Sequence, residues 1–393
     1  MSDDPLSDWR LHWSAEELEW RQLDWTEQRD QRRAEREMRR RERKRMDRKV
    51  FGPDLLPGTF DAHFNEEQLR NHGLPLLKSE RELAVWLDIS LERLRWFSFD
   101  RPADTVWHYV RYTVPKRSGG QRVILAPKSE LKALQRKILH EVLSQIPAHP
   151  AAHGFVPGRS IVSNAKPHVG AAFVLKLDLK DFFPSITFKR VRGLFASFGY
   201  SSSLASTLAL LCTARDRIPY QHGDITYFVS NSSRHLVQGA PTSPALANLI
   251  ARSLDKRLHN YSNERGVTYT RYADDLTFSY NDLEHIHLVR EAAYHIIEHE
   301  GFRANHAKTR IMSQASRQMV TGIIVNTKAS TPRELRRKLR AILHNAQRTG
   351  LQAQNVDEHP NFRAYLYGLI GYVHAANPQQ AAVLGTRLKS VPD

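Results

Sequence analysis

The chain has 393 residues, and its 58 lysines and arginines exceed its 42 aspartates and glutamates to give a formal net charge of +16. That excess indicates a polyanionic partner. Nucleic acid is favoured over a membrane because no segment approaches the roughly 18 apolar residues of a spanning helix. A single cysteine, Cys212, excludes an intramolecular disulfide and a cysteine-based zinc site. No signal peptide opens the chain, so the sequence predicts a cytoplasmic protein.

Residues 1–70 differ in composition from the rest of the chain. Trp9, Trp13 and Trp20 lie in an apolar part that precedes a dense run of basic residues from Arg29 to Lys49. We predict a basic helical extension, ending in a linker, that contacts protein through its tryptophans and phosphates through its arginines. A solvated, partly disordered arm is the alternative, because charge runs usually face water.

A basic hairpin is predicted after short amphipathic helices over 83–97. Two alternating runs of β-forming residues, 106–115 and 121–127, flank a Ser-Gly-Gly turn. Lys116 and Arg122 lie near the tip, where their charges could hold a triphosphate. Basic hairpins are common on basic proteins, so this pattern alone does not define a site.

The middle of the chain predicts helices over 129–143 and 188–213, with a strand between them over 173–179. Asp178 lies near the end of that strand, where its carboxylate could bind a metal ion or cap the segment that follows. Farther on, the run from Gln238 to Asn248 leads into another helix.

Asp274 and Asp275 interrupt a stretch of β-branched and aromatic residues, so they are predicted to form the two-residue turn of a hairpin. Adjacent carboxylates repel each other unless a cation lies between them, and Mg²⁺ binds carboxylates together with substrate phosphates. A solvated acidic turn is the alternative. With Asp178, however, the pair suits phosphoryl transfer that uses two metal ions.

The C-terminal part predicts a helix over 283–299, a basic loop, and a strand over 320–326. Thr331 is predicted to cap a helix that opens a helical bundle. His295 and His299 lack the spacing of a zinc protease motif, so we expect both on an exposed helix face.

Together these motifs resemble a reverse transcriptase over about residues 80–325, and most closely a bacterial retron reverse transcriptase. The resemblance rests on ordered segments: Gly119-Gly-Gln-Arg122, Asn164-Ala-Lys-Pro-His168, Leu175-Lys-Leu-Asp178, Gln238-Gly-Ala-Pro-Thr-Ser-Pro-Ala-Leu-Ala-Asn248, Tyr272-Ala-Asp-Asp275 and Val320-Thr-Gly322. It implies an α+β right-hand polymerase. Fingers and a ferredoxin-like palm would occupy 71–325 and a helical thumb 326–393, preceded by the extension.

The resemblance also implies a role for each matching residue. Two Mg²⁺ ions, with Mn²⁺ as a substitute, would be held by Asp178, Asp274, Asp275 and the carbonyl of Leu179, and Lys308 would protonate the leaving pyrophosphate. The incoming nucleotide would contact Lys116, Arg122, Phe183, Gln238 and Gly239, with Phe183 as a steric gate. RNA recognition would involve Asn164, His168, Val320, Thr321 and Gly322. A core phenylalanine at 183 and a surface lysine at 308 are the structural alternatives.

The implied activity is RNA-directed DNA synthesis from dNTPs. A dedicated structured non-coding RNA would serve as template and primer, giving a branched RNA–DNA product (msDNA). The family further implies defence against phage together with an effector protein. A group II intron or abortive-infection reverse transcriptase, and an idle RNA-binding scaffold, are the alternatives. The Asn164–His168 element opposes the first and the three aspartates oppose the second. Roles for the extension and for the 217–235 insertion cannot be carried over.

Overall fold

The structure is a computed structural model that describes residues 64–99, 103–116 and 119–392. The tryptophan-rich and basic parts of the predicted extension lie outside these residues. Among the helices described, none is long and apolar enough to cross a membrane.

Three short helices and a hairpin come first in the described chain. The helices are α1 (Glu66–Asn71), α2 (Glu80–Trp86) and α3 (Leu91–Ser98), and each begins at an Asn or Ser whose side chain accepts a backbone N–H. Helix α1 straddles the predicted boundary at residue 70 and buries Leu69 in the main core. A short strand, β1 (Ala103–Asp104), precedes the predicted hairpin, whose strands are β2 (Tyr109–Pro115) and β3 (Gln121–Pro127).

A four-stranded antiparallel sheet, here the central sheet, organises the middle of the chain. Its strands are β4 (Phe173–Asp178), β7 (Thr268–Tyr272), β8 (Asp275–Tyr280) and β9 (Arg310–Ser313), arranged in the order β7-β8-β4-β9. Helices separate β4 from β7 and β8 from β9, which is the βαββαβ arrangement of ferredoxin-like sheets. Because β4 and β8 are antiparallel neighbours, the end of β4 lies beside the start of β8.

Helices cover the central sheet and fill the sequence between its strands. They are α4 (Ser129–Glu141), α5 (Ile161–Ala165), α6 (Phe182–Ser185), α7 (Phe188–Ser197), α8 (Ser202–Cys212), α9 (Ser243–Ile250), α10 (Arg252–Asn263) and α11 (Leu283–His299). The insertion after α8 forms strands β5 (Arg217–His222) and β6 (Ile225–Ser230), which pair with β1 in a separate sheet. His295 and His299 are exposed on α11, as predicted.

The C-terminal helices have a hydrophobic core of their own. They are α12 (Arg333–Thr349), α13 (Phe362–Ala376) and α14 (Pro378–Lys389). The predicted Thr331 cap is wrong, because α12 begins one residue later than expected, after Pro332, without a side-chain cap, and Thr331 is buried. Helix starts are often displaced by one residue in this way.

The predicted strand over 320–326 is also wrong. The segment folds into a small hairpin of β10 (Met319–Val320) and β11 (Ile323–Ile324), with Thr321 and Gly322 in the turn. Both turn residues have positive φ, 46° and 87°. Two such residues in succession reverse the chain tightly, which alternation of apolar residues cannot reveal.

Candidate active site

Three aspartates lie where β4 ends and β8 begins. Asp178 is the cross-strand partner of Asp275, and the Leu179 N–H donates to the Asp274 carbonyl at 2.9 Å. The prediction that Asp274 and Asp275 form the turn is wrong by one residue. Tyr272 pairs with Asp275, so the turn consists of Ala273 and Asp274. Asp275 stays in the ladder because it pairs with both neighbouring strands.

Two lysines lie against these carboxylates. Lys308 Nζ is 2.9 Å from Asp178 Oδ1, and Lys176 Nζ is 3.5 Å from Asp275 Oδ2. Asn305 Nδ2 donates to Asp178 Oδ2 at 3.2 Å. The Asp178 carboxylate therefore bonds to the basic loop that follows α11 and does not cap a helix. The hydrogen bond to Asp178 raises the pKa of Lys308, which stays protonated at neutral pH. Burial, followed by repulsion from Asp275 and Asp178, raises the pKa of Asp274.

The donor set fits a hard divalent cation by its chemistry. Carboxylate oxygens are the ligands that Mg²⁺ and Mn²⁺ prefer. The Leu179 carbonyl is compatible with a role as a further oxygen ligand. Leu179 forms an antiparallel bridge with Ala304, but the hydrogen bonds of this bridge are made by the residues on either side and do not use the Leu179 carbonyl. As arranged here, no three His, Cys, Asp or Glu side chains converge on one point among the described residues. A cation at Asp178 would therefore take the place of Lys308 Nζ.

A buried ion pair stabilises the β7–β8 hairpin, whose turn carries Asp274. Arg271 and Asp255 are both fully buried, and Arg271 Nη2 lies 2.6 Å from Asp255 Oδ2. Arg271 Nη1 also donates to the Ala273 carbonyl and to Asn248 Oδ1, each at 3.0 Å. The turn that carries Asp274 is thus tied to α9 and α10. The sequence analysis missed this network, although an arginine two residues from Tyr269 on a buried strand face requires a carboxylate partner.

Phe183 is partly buried against the main core, whereas its neighbour Phe182 is 5% exposed and packs on Phe302 with ring centroids 5.7 Å apart. Phe182 is therefore a core residue, and Phe183 keeps an exposed part that is available for the predicted role at the nucleotide. Phe155 lies next to Phe183 with ring centroids 6.4 Å apart.

Gln238 and Gly239 pack against the β2–β3 hairpin. The Leu125 N–H donates to the Gln238 carbonyl at 2.8 Å, and a Cβ on Gly239 would come within 2.8 Å of Ile124 Cγ2. Only glycine fits this approach, and its φ of 117° also favours glycine. Lys116 and Arg122 are exposed near the hairpin tip.

Three of the five residues predicted to recognise RNA have no exposed side chain. Asn164, His168 and Val320 are fully buried in this structure, whereas Thr321 and Gly322 are partly exposed. His168 lies behind the central sheet, with Nδ1 2.7 Å from Ser279 Oγ and Nε2 2.8 Å from Thr270 Oγ1.

The turn between β10 and β11 is anchored on two sides. Thr321 Oγ1 donates to the Ile161 carbonyl at 2.9 Å, and the Tyr372 hydroxyl donates to the Gly322 carbonyl at 2.7 Å. The Val-Thr-Gly element and the Asn164–His168 element therefore pack together as a small core next to α13.

His168 should make stability depend on pH. Burial lowers its pKa to about 3 from the ordinary value of 6.5. Between these values the unfolded chain binds a proton that the folded chain does not, so stability is complete above pH 6.5 and falls as the pH decreases toward 3. We expect a loss of about 1 kcal/mol between pH 6.5 and 5.5 from this residue. Urea denaturation of wild type and His168→Asn at both pH values should show a smaller loss in the variant.

Comparison with known proteins gives matches over most of the chain. The family model for reverse transcriptase (RNA-dependent DNA polymerase) matches residues 114–354. The retron Mx65 reverse transcriptase of Myxococcus xanthus is 48% identical over 86% of this chain and 75% of its own length. The chain belongs to the retron reverse transcriptases. The retron Ec86 reverse transcriptase of Escherichia coli is 37% identical over 72% of this chain and 82% of its own length.

Similarity to solved structures is weaker. Telomerase from Candida albicans, in complex with a fragment of telomeric RNA, is 12% identical over 71% of this chain and 56% of that chain, with a TM-score of 0.43. Such a score carries no argument about function. Membership of the retron reverse transcriptases assigns the chain RNA-directed DNA polymerase activity and, as in that family generally, dependence on divalent metal ions.

Proposed function

We propose that this retron reverse transcriptase copies a dedicated structured RNA into a branched RNA–DNA product in the cytoplasm, as part of phage defence with an effector protein. The observation that carries the catalytic part is the pairing of Asp178 with Asp275 beside Asp274. In a chain of this family, three carboxylates at the ends of adjacent strands are suited to phosphoryl transfer.

In this proposal the central sheet is the palm, the β2–β3 hairpin belongs to the fingers, and α12 to α14 form the thumb. Because α1 shares the main core, the fingers would begin before it. The basic extension would contact phosphates through its arginines.

The residues of the site would divide the work as follows. Asp178, Asp274, Asp275 and the Leu179 carbonyl would hold two Mg²⁺ ions, for which Mn²⁺ could substitute. When bound, these ions supply Lewis-acid activation of the attacking hydroxyl and charge stabilisation at the leaving pyrophosphate. Lys308, which lies against Asp178 here and which the ions would displace from it, would give its proton to the pyrophosphate. The dNTP triphosphate would lie between Arg122, Lys116 and the Gln238–Gly239 backbone.

Phe183 is expected to exclude ribonucleotides. In this proposal its partly buried ring, five positions after Asp178 in the chain, would lie against the sugar of the incoming nucleotide and collide with a ribose 2′-hydroxyl. Phe183→Ala should increase ribonucleotide incorporation relative to deoxynucleotide by roughly tenfold or more, measured as the ratio of kcat/KM values on one primed template. Phe302→Leu, which alters a core ring behind Phe182, is the control and should leave the ratio unchanged. An unchanged ratio in Phe183→Ala would place the gate elsewhere.

The proposed product is tested by isolating it. The protein, expressed together with its flanking genomic DNA, should copurify with a defined RNA joined to single-stranded DNA, and sequencing should identify both. The same preparation from Asp274→Asn should contain the RNA without the DNA. Copurified RNA without DNA in the wild type would support an RNA-binding scaffold instead.

A further inference from the structure

Phe155 is an exposed aromatic residue with a constrained backbone at the edge of the active site. The residue is 53% exposed, and its φ of 61° lies in the left-handed region that residues with a Cβ rarely adopt. Its ring centroid is 6.4 Å from Phe183 and 6.4 Å from Tyr272. A strained residue with an exposed ring is the kind of feature that concentrates at ligand sites.

The elements that carry the carboxylates also fix the backbone before Phe155. The Arg271 carbonyl accepts the His153 N–H at 2.7 Å, and Asn248 Nδ2 donates to the Gly154 carbonyl at 2.8 Å. A Cβ on Gly154 would come within 2.6 Å of the Ala273 nitrogen, so the chain passes in direct contact with the turn that holds Asp274. The ring of Phe155 is therefore presented from a rigid support.

Core packing does not account for this arrangement. Burying an aromatic ring stabilises a fold only where water is removed from it, and more than half of the accessible surface of Phe155 remains in water. The ring lies between Phe183, proposed to face the sugar of the incoming nucleotide, and Tyr272, which adjoins the catalytic turn. A flat apolar surface at this position matches the face of a nucleobase.

We propose that Phe155 is a stacking surface for a nucleobase at the insertion site of this enzyme. The proposal rests on the active site described above as the proposed function. Three bases share the required chemistry: the incoming base, the primer-terminal base and the templating base. The strained backbone is maintained because it aims the ring across the site rather than into the core.

Nucleotide binding tests the proposal first. Phe155→Ala should weaken the apparent affinity for the dNTP or for the primed template by about tenfold, while the maximal rate changes far less. Phe155→Tyr and Phe155→Trp, which keep a flat ring, should retain wild-type affinity. The preference for deoxynucleotides should not change, which separates this role from that of Phe183. Leu288→Ala, at a similarly exposed apolar residue on α11, is the control.

Phe155→Gly separates the ring from the backbone strain. Glycine adopts positive φ without penalty, so this variant should be at least as stable as Phe155→Ala while it lacks the ring. We expect the same loss of affinity in both variants. Wild-type affinity in Phe155→Gly, or in Phe155→Ala, would overturn the proposal.

Photocrosslinking identifies which of the three bases contacts Phe155, and the experiment does not require DNA synthesis. 5-Iodouracil is placed at the templating position, at the primer 3′ end, or in the incoming nucleotide, and complexes with the full-length protein are irradiated. A crosslink at Phe155 in one of the three arms supports the proposal and names the base, and its absence from all three overturns it. If the wild type crosslinks but does not extend a primer, the proposed function fails and the stacking surface stands.

Discussion

Asp274→Asn should abolish DNA synthesis while RNA binding persists. The substitution keeps the shape of the side chain and removes one of the three charges that would hold the metal ions. Each 1.4 kcal/mol of lost transition-state stabilisation costs about a factor of ten, so we expect a loss of roughly a thousandfold or more. RNA affinity depends on the basic surface of the protein and should stay within about twofold. Primer extension and filter binding on the same preparation measure both quantities.

The same variant should differ in stability from the wild type. The pKa of Asp274 is raised by burial and by Asp275 and Asp178, so the ionised carboxylate destabilises the metal-free protein above that pKa, and the cost is relieved as the pH falls through it. At neutral pH, Asp274→Asn should melt at a higher temperature than the wild type and should lose most of the increase produced by Mg²⁺.

Asp282→Asn is the matched control. Asp282 is exposed and caps α11, and asparagine can accept the same backbone hydrogen bond. This variant should synthesise DNA at the wild-type rate and keep the Mg²⁺-dependent rise in melting temperature. Wild-type synthesis by Asp274→Asn would contradict the assignment of the site.

Arg271→Met should cost about 3–5 kcal/mol of stability. It leaves the Asp255 carboxylate buried without its counter-charge, which is among the most destabilising changes in a protein interior. It also removes the donor to the Ala273 carbonyl, so the turn that carries Asp274 loses its anchor. Urea denaturation measures the loss, and primer extension should fall even at temperatures where the variant stays folded.

A double variant and a surface control separate the two effects. Arg271→Met combined with Asp255→Leu removes the unpaired charge and should recover part of the stability without recovering activity, because the Ala273 carbonyl still lacks its donor. Arg265→Met breaks an exposed pair with Glu264 and should cost no more than about 1 kcal/mol. Full activity in the double variant would show that Arg271 serves stability alone.

Local sequence was sufficient to predict much of the secondary structure. Alternating β-forming residues around a Gly-Gly turn predicted the β2–β3 hairpin, and the apolar periodicity over 283–299 predicted α11 with the bounds that the structure gives. The carboxylates could be identified because Asp178 and the Asp274–Asp275 pair lie at strand ends or turns. These signals are local, since strand period, helix period and turn chemistry are fixed by neighbouring residues.

Local signals also had a limit within single elements. The turn was predicted one residue too late, at Asp274–Asp275 instead of Ala273–Asp274. The segment predicted as one strand over 320–326 is a hairpin. In both places the outcome depended on which residue adopts positive φ. Ala273 and Thr321 adopt it although neither type favours it, because hydrogen bonds from Arg271 to the Ala273 carbonyl and from Thr321 to Ile161 hold the turns in place.

The sequence by itself determined most of the elements and the family and singled out the three aspartates, whereas the tertiary structure decided the environment of each side chain. His168 resembled a recognition residue but is enclosed behind the central sheet, and Phe155, which no local pattern distinguished, lies beside Phe183. Arg271 finds its carboxylate on another element, 16 positions away. Burial and charge pairing join residues that are distant in the chain, so they follow from how the elements pack and not from the pattern within any one of them.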